Sequence, residues 1–232
     1  MKINVIMISK FVFYLLIFRR IFMSGLFITF EGTDGAGKTT QIKLLEEYLT
    51  GKGFEVFCTR EPGGNKISEA IRNLIIDVDN SEMTETTEAL LYAAARAQHV
   101  AGDIMPVINN GGVVISDRFL DSSLVYQGYA RGMGEKTIQS INRCAVGQLE
   151  PDITFFLKLN PKDGIERKKN QAQLDRIESE SFNFHKRVYD GYINLARRNK
   201  HRIKTIDALN SIDCIHEEIV KHIEQLLSEK SL

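Results

Sequence analysis

The stretch that decides the fold runs from Gly32 to Thr39 and reads GTDGAGKT. It matches the pattern G-x-x-x-x-G-K-[ST], in which glycines let successive backbone N–H groups turn inward around phosphate oxygens. Lys38 adds a positive charge near the β- and γ-phosphates, and the Thr39 hydroxyl is of the type that ligates Mg²⁺. The alternative is a glycine turn with an incidental lysine. The residues assigned to nucleotide phosphates are Gly32, Thr33, Asp34, Gly35, Ala36, Gly37, Lys38, Thr39 and Thr40.

Short apolar runs alternate with helical patterns on both sides of this loop. Strands are predicted at 26–30, 54–58, 113–116, 153–157 and 202–206, and helices at 39–50, 66–76, 84–104, 122–127, 135–149 and 213–227. Pro106 is expected to interrupt the third helix. Strands separated by helices imply right-handed crossovers and a parallel sheet. The predicted fold class is α/β, a P-loop NTPase-type three-layer sandwich with a five-stranded parallel sheet, helices on both faces and a lid at about 161–178.

Composition limits the partners of the chain. Its 232 residues carry 30 basic and 30 acidic side chains, so the formal net charge is zero. A general nucleic-acid binder carries a basic excess, so no nucleic-acid partner is expected. The three cysteines are odd in number and form no C-x-x-C pair, which predicts a reduced cytoplasmic protein with buried thiols.

Residues 1–22 differ from the rest, with four basic side chains, no acidic one and an apolar run from Phe11 to Phe18. That run is shorter than the ~20 residues that span a bilayer. A signal peptide and an amphipathic targeting segment remain alternatives, although Arg19 and Arg20 stand where a small-residue cleavage site would be. The preferred interpretation is that translation begins at Met23. Residues 1–22 are then untranslated or disordered, and 23–232 form a single domain without a membrane partner.

Charged residues follow the predicted strands, where parallel sheets bind ligands. Asp34 follows the first strand, Glu61 the second, and Asp117 with Arg118 the third. A carboxylate at the end of an apolar strand is the pattern of a Mg²⁺-associated Walker-B aspartate, although many strands end in Asp for turn or capping reasons. Arg96 interrupts an apolar helix face and therefore needs a polar partner or a ligand. The charged segment 166–176 is either a solvated helix end or a mobile lid.

Four elements resemble bacterial thymidylate kinases, in that family's order and spacing. They are FEGTDGAGKTTQ at 30–41, TREPGG at 59–64, DRF at 117–119 and LDRIE at 174–178. The likeness runs from about Met23 to the C-terminus. It implies ATP-dependent phosphorylation of dTMP to dTDP for dTTP synthesis, with ATP and Mg²⁺ as cofactors, dTMP as acceptor and a homodimer, formed through the apolar helix faces near 84–104.

The resemblance also implies roles around the acceptor's phosphate and sugar. Asp34 would face the 3′-OH of the deoxyribose, and Arg72 and Arg118 would grip the 5′-phosphate. Tyr126 would crowd the position of a 2′-OH and so favour deoxyribose. The metal with its waters would be organised by Thr39, Glu61 and Asp117, and Glu61 would also lie beside the acceptor.

Around the base, the resemblance places Tyr92 in a stack on thymine and Arg96 as a donor to a thymine carbonyl, with Ser123 and Gln127 along the base edge. The loop carries no arginine at Thr33 or Asp34, so the chain resembles the branch whose catalytic arginine lies in the lid. Lys169 is expected to support that arginine, since lysine keeps the charge without the bidentate fork. The catalytic set implied is Asp34, Lys38, Arg118, Arg167 and Arg176.

Three alternatives stay open from the sequence. The nearest is a kinase for another nucleoside monophosphate or for a deoxynucleoside. The second is a P-loop regulatory ATPase that controls a partner, although the N-K-x-D signature of GTPases is absent. The third takes residues 1–22 as a membrane anchor for the rest of the chain.

Overall fold

The structure is a computed structural model that describes residues 25–168 and 174–230. Residues 1–22 and Lys169 lie outside the described residues, so the predictions made for them are untouched by the structure. Within the described chain, five parallel strands form one sheet in the order β2-β3-β1-β4-β5. The predicted sheet is thereby confirmed. The strands are β1 (Leu26–Glu31), β2 (Val56–Arg60), β3 (Val113–Asp117), β4 (Ile153–Lys158) and β5 (Ile203–Asp207).

Helices connect the strands and cover the sheet. Two π-helical turns, Val100–Ile104 and Leu124–Ala130, continue the third and fifth helices directly. The helices are α1 (Lys38–Gly51), α2 (Lys66–Ile76), α3 (Glu85–His99), α4 (Met105–Asn109), α5 (Leu120–Ser123), α6 (Glu135–Val146), α7 (Pro161–Lys168), α8 (Phe182–Arg198) and α9 (Ile212–Lys230).

Both faces of the central strands are buried, which explains their continuous apolar sequences. All six residues of β1 are buried. Ile28 belongs to the core that includes Leu45 of α1 and Ile219 of α9. Phe27 points to the other face, where its ring meets that of Phe119 edge-on at 4.8 Å between centroids. The sheet is therefore held between two helical layers, as the three-layer sandwich requires.

Two local predictions are wrong. Pro106 does not end the third helical stretch, because the π-helical turn before it widens the backbone, with the Met105 N–H donating to the Val100 carbonyl, and α4 continues to Asn109. The thiols of Cys144 and Cys214 are exposed rather than buried, while Cys58 is half-buried, and all three are free. Among the helices in 25–168 and 174–230, none is both long enough and apolar enough to cross a bilayer.

Candidate active site

The loop between β1 and α1 needs glycine for two separate reasons. Gly32 and Gly35 have φ of +144° and +77°, a region that residues with a Cβ rarely adopt. Close contacts also leave no room for a side chain. A Cβ on Gly32 would lie 2.6 Å from the Leu157 carbonyl oxygen, and one on Gly35 would lie 2.7 Å from the Gly164 carbonyl oxygen. The loop can therefore wrap an anion while it stays packed against β4 and α7.

A cavity of about 570 Å³ opens at the carboxyl ends of β1, β2 and β3. Its volume lies within the range of roughly 300–1,000 Å³ that is usual for small-molecule sites. Of the proposed site residues that the structure describes, only Gly32, Thr33 and Arg176 do not line it. The structure brings the others together there: Asp34, Gly35, Ala36, Gly37, Lys38, Thr39, Thr40, Glu61, Arg72, Tyr92, Arg96, Asp117, Arg118, Ser123, Tyr126, Gln127 and Arg167.

Lys38 and Asp117 face each other at the phosphate end of this cavity. The Nζ of Lys38 lies 3.9 Å from the Oδ1 of Asp117 and 3.5 Å from the carbonyl oxygens of Gly32 and Thr33. Burial, with the charge of Arg118 adding to it, lowers the pKa of Lys38 below its ordinary value. A polyanionic ligand would offset that penalty by favouring the charged amine.

The same end of the cavity has oxygen atoms suited to Mg²⁺. The Oδ1 of Asp117 is buried and accepts no hydrogen bond from the described part of the chain. Thr39, which carries a hydroxyl, lines the same cavity. The described residues contain no cluster of three or more His, Cys, Asp and Glu side chains able to hold a metal by themselves. That fits Mg²⁺, which is usually bound through one or two protein oxygens plus phosphates and water.

Arg118 lines the cavity and has an unusual backbone conformation, with φ +72°. Its Nη2 donates to Asp34 Oδ1 at 2.9 Å, and its Nη1 donates to the Tyr192 hydroxyl at 3.1 Å. The guanidinium also lies 5.3 Å from the centroid of the Tyr126 ring. These contacts hold a fixed positive charge beside the P-loop.

Glu31 and Tyr192 are site-supporting residues that the sequence analysis missed. Glu31 accepts hydrogen bonds from the Phe119 N–H at 2.8 Å, the Ser122 hydroxyl at 2.6 Å and the Tyr192 hydroxyl at 2.7 Å. Burial and the charge of Asp121 raise the pKa of Glu31 to about 7. A carboxylate ending an otherwise apolar strand was the one available signal for Glu31, and no sequence pattern points to Tyr192.

Arg96 meets the expectation that it needs polar partners, since its guanidinium is almost fully engaged by the protein. The Nε donates to Glu61 Oε2 at 2.6 Å and Nη2 donates to the Phe119 carbonyl at 3.1 Å. The Nη1 donates to Ser123 Oγ at 3.1 Å and to Asn142 Oδ1. One Nη2 hydrogen remains for a ligand, because a guanidinium has five N–H donors.

Both carboxylate oxygens of Glu61 are engaged away from the metal end of the cavity. Oε2 accepts from Arg96, and Oε1 lies 3.1 Å from the Nδ1 of His99, which is fully buried. His99 and Asn142 were not singled out in the sequence, because their partners are remote along the chain. In this arrangement Glu61 pairs with Arg96 and lies against His99.

The two lid arginines lie in different places. Arg167 of α7 donates from Nη1 to the Gly35 carbonyl at 3.2 Å and from Nη2 to the Ala208 carbonyl at 3.1 Å, so it lies against the P-loop. Arg176 instead donates to the Ile75 carbonyl at 2.7 Å and to Glu88 at 2.7 Å, outside the cavity lining. The geometry therefore favours Arg167 over Arg176 as a cation that reaches the phosphates.

The fold and the site together define a class of protein. The P-loop precedes α1, the parallel sheet has the order 2-3-1-4-5, and one cavity extends from the loop to the polar residues Arg96 and Gln127. These features define a P-loop nucleotide kinase.

Comparison with known proteins supports the same class and narrows it. The sequence model of the family described as "Thymidylate kinase" matches residues 30–219. A thymidylate kinase from Oceanobacillus iheyensis is 47% identical over 211 residues, covering 90% of this chain and 93% of that protein. One from Geobacillus sp. is 49% identical over 193 residues, covering 82% and 92%. The chain therefore belongs to the thymidylate kinase family.

The fold comparison agrees. The crystal structure of thymidylate kinase from Ehrlichia chaffeensis aligns with a TM-score of 0.70 at 34% identity, covering 87% of this chain and 99% of that one. The resemblance predicted from the four sequence elements is thus confirmed, and with it the α/β P-loop fold.

Proposed function

We propose that this chain transfers the γ-phosphoryl group of ATP to the 5′-phosphate of dTMP, giving ADP and dTDP. Membership of the thymidylate kinase family over most of the chain supports this reaction and gives no support to a regulatory ATPase. The observation that carries the proposal is the single cavity that joins the P-loop to Tyr92, Arg96 and Gln127. A donor phosphate and an acceptor base can therefore occupy one continuous site.

The attacking group is a phosphate oxygen of dTMP, which needs no general base. A phosphomonoester has a second pKa near 6 and is mostly dianionic at pH 7. The main obstacle is to bring two polyanions together in line, so catalysis depends on positioning and charge. Lys38 and Arg167 would hold the donor phosphates, while Arg72 and Arg118 would hold the acceptor phosphate.

Mg²⁺ would be held by Thr39 and Asp117 together with the donor phosphates, and when bound it would neutralise charge on the transferred group. The Oδ1 atom of Asp117, which has no hydrogen-bond donor in the described residues, supports this assignment. Asp34 would direct the sugar, because its Oδ1 accepts a hydrogen bond from Arg118, which would hold the acceptor phosphate. Tyr126 would line the 2′ side of the sugar.

At the far end, Tyr92 would stack on the base. Arg96 would donate its remaining Nη2 hydrogen to a base carbonyl, with Ser123 and Gln127 along the base edge. Arg176 would act indirectly, through its contacts with Glu88 and the Ile75 carbonyl, rather than on the transferred phosphate.

An acceptor panel tests the proposed reaction. Purified protein would be assayed with Mg-ATP and equal concentrations of dTMP, dUMP, UMP, CMP and AMP, and without an acceptor. We expect the highest kcat/KM with dTMP and little ATP hydrolysis without it. A better acceptor than dTMP would reassign the enzyme within the nucleoside-monophosphate kinases. Hydrolysis that is independent of any acceptor would favour the ATPase.

We further propose that the enzyme is a homodimer that works in the cytoplasm. Large apolar side chains are exposed on α2 and α3, namely Ile67 (54%), Leu74 (52%) and Leu90 (53%). Ile67 and Leu74 are seven positions apart and share one face of α2. Exposed apolar side chains on neighbouring helices support burial against a second copy.

A further inference from the structure

Glu88 is a buried carboxylate beside the base end of the cavity, one helical turn before Tyr92 on α3. Its Oε1 accepts from the Nε2 of Gln127 at 2.9 Å and from the Nε of Arg131 at 3.3 Å. Its Oε2 accepts from Arg131 Nη2 at 3.1 Å and from Arg176 Nη2 at 2.7 Å. Two arginines and an amide therefore converge on one carboxylate that itself does not line the cavity.

The surroundings keep Glu88 ionised. Burial alone would work against the charge, but hydrogen bonds from Gln127, Arg131 and Arg176 hold the pKa of Glu88 below its usual value. An ionised carboxylate can only accept hydrogen bonds. Whatever faces Glu88 must therefore be a donor.

This requirement fixes the orientation of the Gln127 amide. Its NH₂ group must point at Glu88, so its carbonyl oxygen points away from Glu88. Gln127 lines the cavity, and no donor to its Oε1 occurs among the described residues. The carbonyl of Gln127 is thus an acceptor available to a ligand in the cavity that Arg96, with its one remaining N–H donor, also lines.

We propose that Glu88 is a specificity-determining positioning residue, which selects thymine by holding the Gln127 carbonyl towards the base. The inference rests on the proposed dTMP kinase function. Thymine offers an N3–H donor next to the O4 acceptor, which matches an acceptor at Gln127 and a donor at Arg96. Cytosine bases offer the reverse, an N3 acceptor next to an amino donor. If the Gln127 carbonyl is fixed, its oxygen and the cytosine N3 are both acceptors, so their lone pairs repel each other and cytosine binds poorly.

The test compares dTMP with 5-methyl-dCMP, which keeps the methyl group and inverts the polar edge. In Glu88→Gln, position 88 can donate as well as accept, so Gln127 can turn either end to the base. We expect the ratio of kcat/KM for dTMP to that for 5-methyl-dCMP to fall about tenfold, as when a fixed polar contact is lost. The variant should still turn over dTMP while this ratio falls. If the proposed reaction itself is wrong, the wild type will not turn over dTMP either, so the two failures can be distinguished.

Glu180→Gln is the matched control. It removes another carboxylate paired with Arg131 but leaves the Gln127–Glu88 hydrogen bond in place. We expect the wild-type ratio in this variant. An equal fall in Glu180→Gln, or an unchanged ratio in Glu88→Gln, would overturn the proposal.

A second variant and a measurement on the native protein guard against misfolding of Glu88→Gln. Glu88→Asp keeps the charge for the two arginines but shortens the reach to Gln127, so the ratio should fall in the same direction. Neutron diffraction from the wild type with dTMP would locate the amide deuterium atoms directly. Deuterium atoms between Gln127 and Glu88 are expected, and deuterium on the base side of Gln127 would refute the inference.

Discussion

Arg118 combines a strained backbone conformation with a guanidinium that is held beside the P-loop. Its φ of +72° costs about 1–3 kcal/mol for a residue with a long side chain. Two hydrogen bonds to the backbone of Arg118 stabilise this conformation. The Arg118 N–H donates to the Phe30 carbonyl at 2.9 Å, and Ser116 Oγ donates to the Arg118 carbonyl at 2.7 Å. The strain therefore directs the guanidinium towards Asp34 and the P-loop.

Replacing Arg118 or Lys38 by alanine should abolish most of the activity without unfolding the protein. Each change removes a preorganised positive charge, so we expect kcat/KM to fall by about 10²-fold or more. Steady-state kinetics with dTMP, alongside circular dichroism, measures both effects. Arg198→Ala is the control, since Arg198 forms a half-exposed ion pair with Glu135 and does not line the cavity. A wild-type rate in either active-site variant would contradict the assignment.

Glu31 should make stability depend on pH. Its folded-state pKa of about 7 lies above the ordinary value of 4.5, so its protonated form favours folding. That contribution is fully present below pH 4.5 and is lost as the pH rises through 7. Relative to Glu31→Gln, the free energy of unfolding of the wild type should fall by about 2–3 kcal/mol between pH 5 and 8. Urea unfolding of both proteins across this range provides the measurement, and a constant difference would mean that Glu31 stays ionised throughout.

Among the secondary-structure elements, α7 is the one that connects the lid to the P-loop. A Cβ on Gly164 would lie only 2.4 Å from the Asp34 carbonyl oxygen, so the helix and the loop touch through backbone. Arg167 lies one turn further along α7 and donates to the Gly35 carbonyl. Close backbone packing at Gly164 thus determines where the lid cation points.

Gly164→Ala should therefore displace α7 and weaken the handling of ATP. We expect kcat/KM for ATP to fall about tenfold, because a small misplacement of a positioning group is costly in phosphoryl transfer. Thermal stability should fall as well, since overpacking at a buried position costs about 1–3 kcal/mol, but circular dichroism should still show a folded protein. Gly51→Ala, at the end of α1 with no atom within 4 Å of its added Cβ, should keep full activity. Equal kinetics for the two variants would show that α7 need not touch the loop.

At the scale of the whole molecule, the exposed apolar residues of α2 and α3 form the proposed dimer interface. Leu90→Glu places a charge on the proposed interface, which costs burial of apolar surface and adds repulsion. Light scattering should give twice the 26.3 kDa chain mass for the wild type and the monomer mass for the variant. Leu209→Glu adds the same charge to the exposed loop after β5 and should leave the assembly unchanged. A monomeric wild type would refute the dimer.

Local sequence patterns were enough to predict the P-loop and the strands of the sheet. The glycine spacing from Gly32 to Gly37 reflects backbone conformations that only glycine adopts readily, so the P-loop could be read directly. The five strands were visible because strands buried on both faces are continuous apolar runs. The order of the strand ends then placed Asp34, Glu61 and Asp117 at one edge. The fold was predictable on these grounds, whereas the family came from the resemblance of the four sequence elements to thymidylate kinases.

Tertiary contacts alone decided which polar groups line the cavity and which partners they have there. Arg167 and Arg176 looked equivalent in the lid sequence, yet one lies against Gly35 and the other against Glu88. The Tyr192 hydroxyl meets Glu31 across 161 positions of sequence. Hydrogen-bond partners depend on where packing brings distant side chains and on how many donors each has left, and no periodic pattern records either. The P-loop was therefore legible in the chain, whereas the donor and acceptor pattern around the base exists only once the chain has folded.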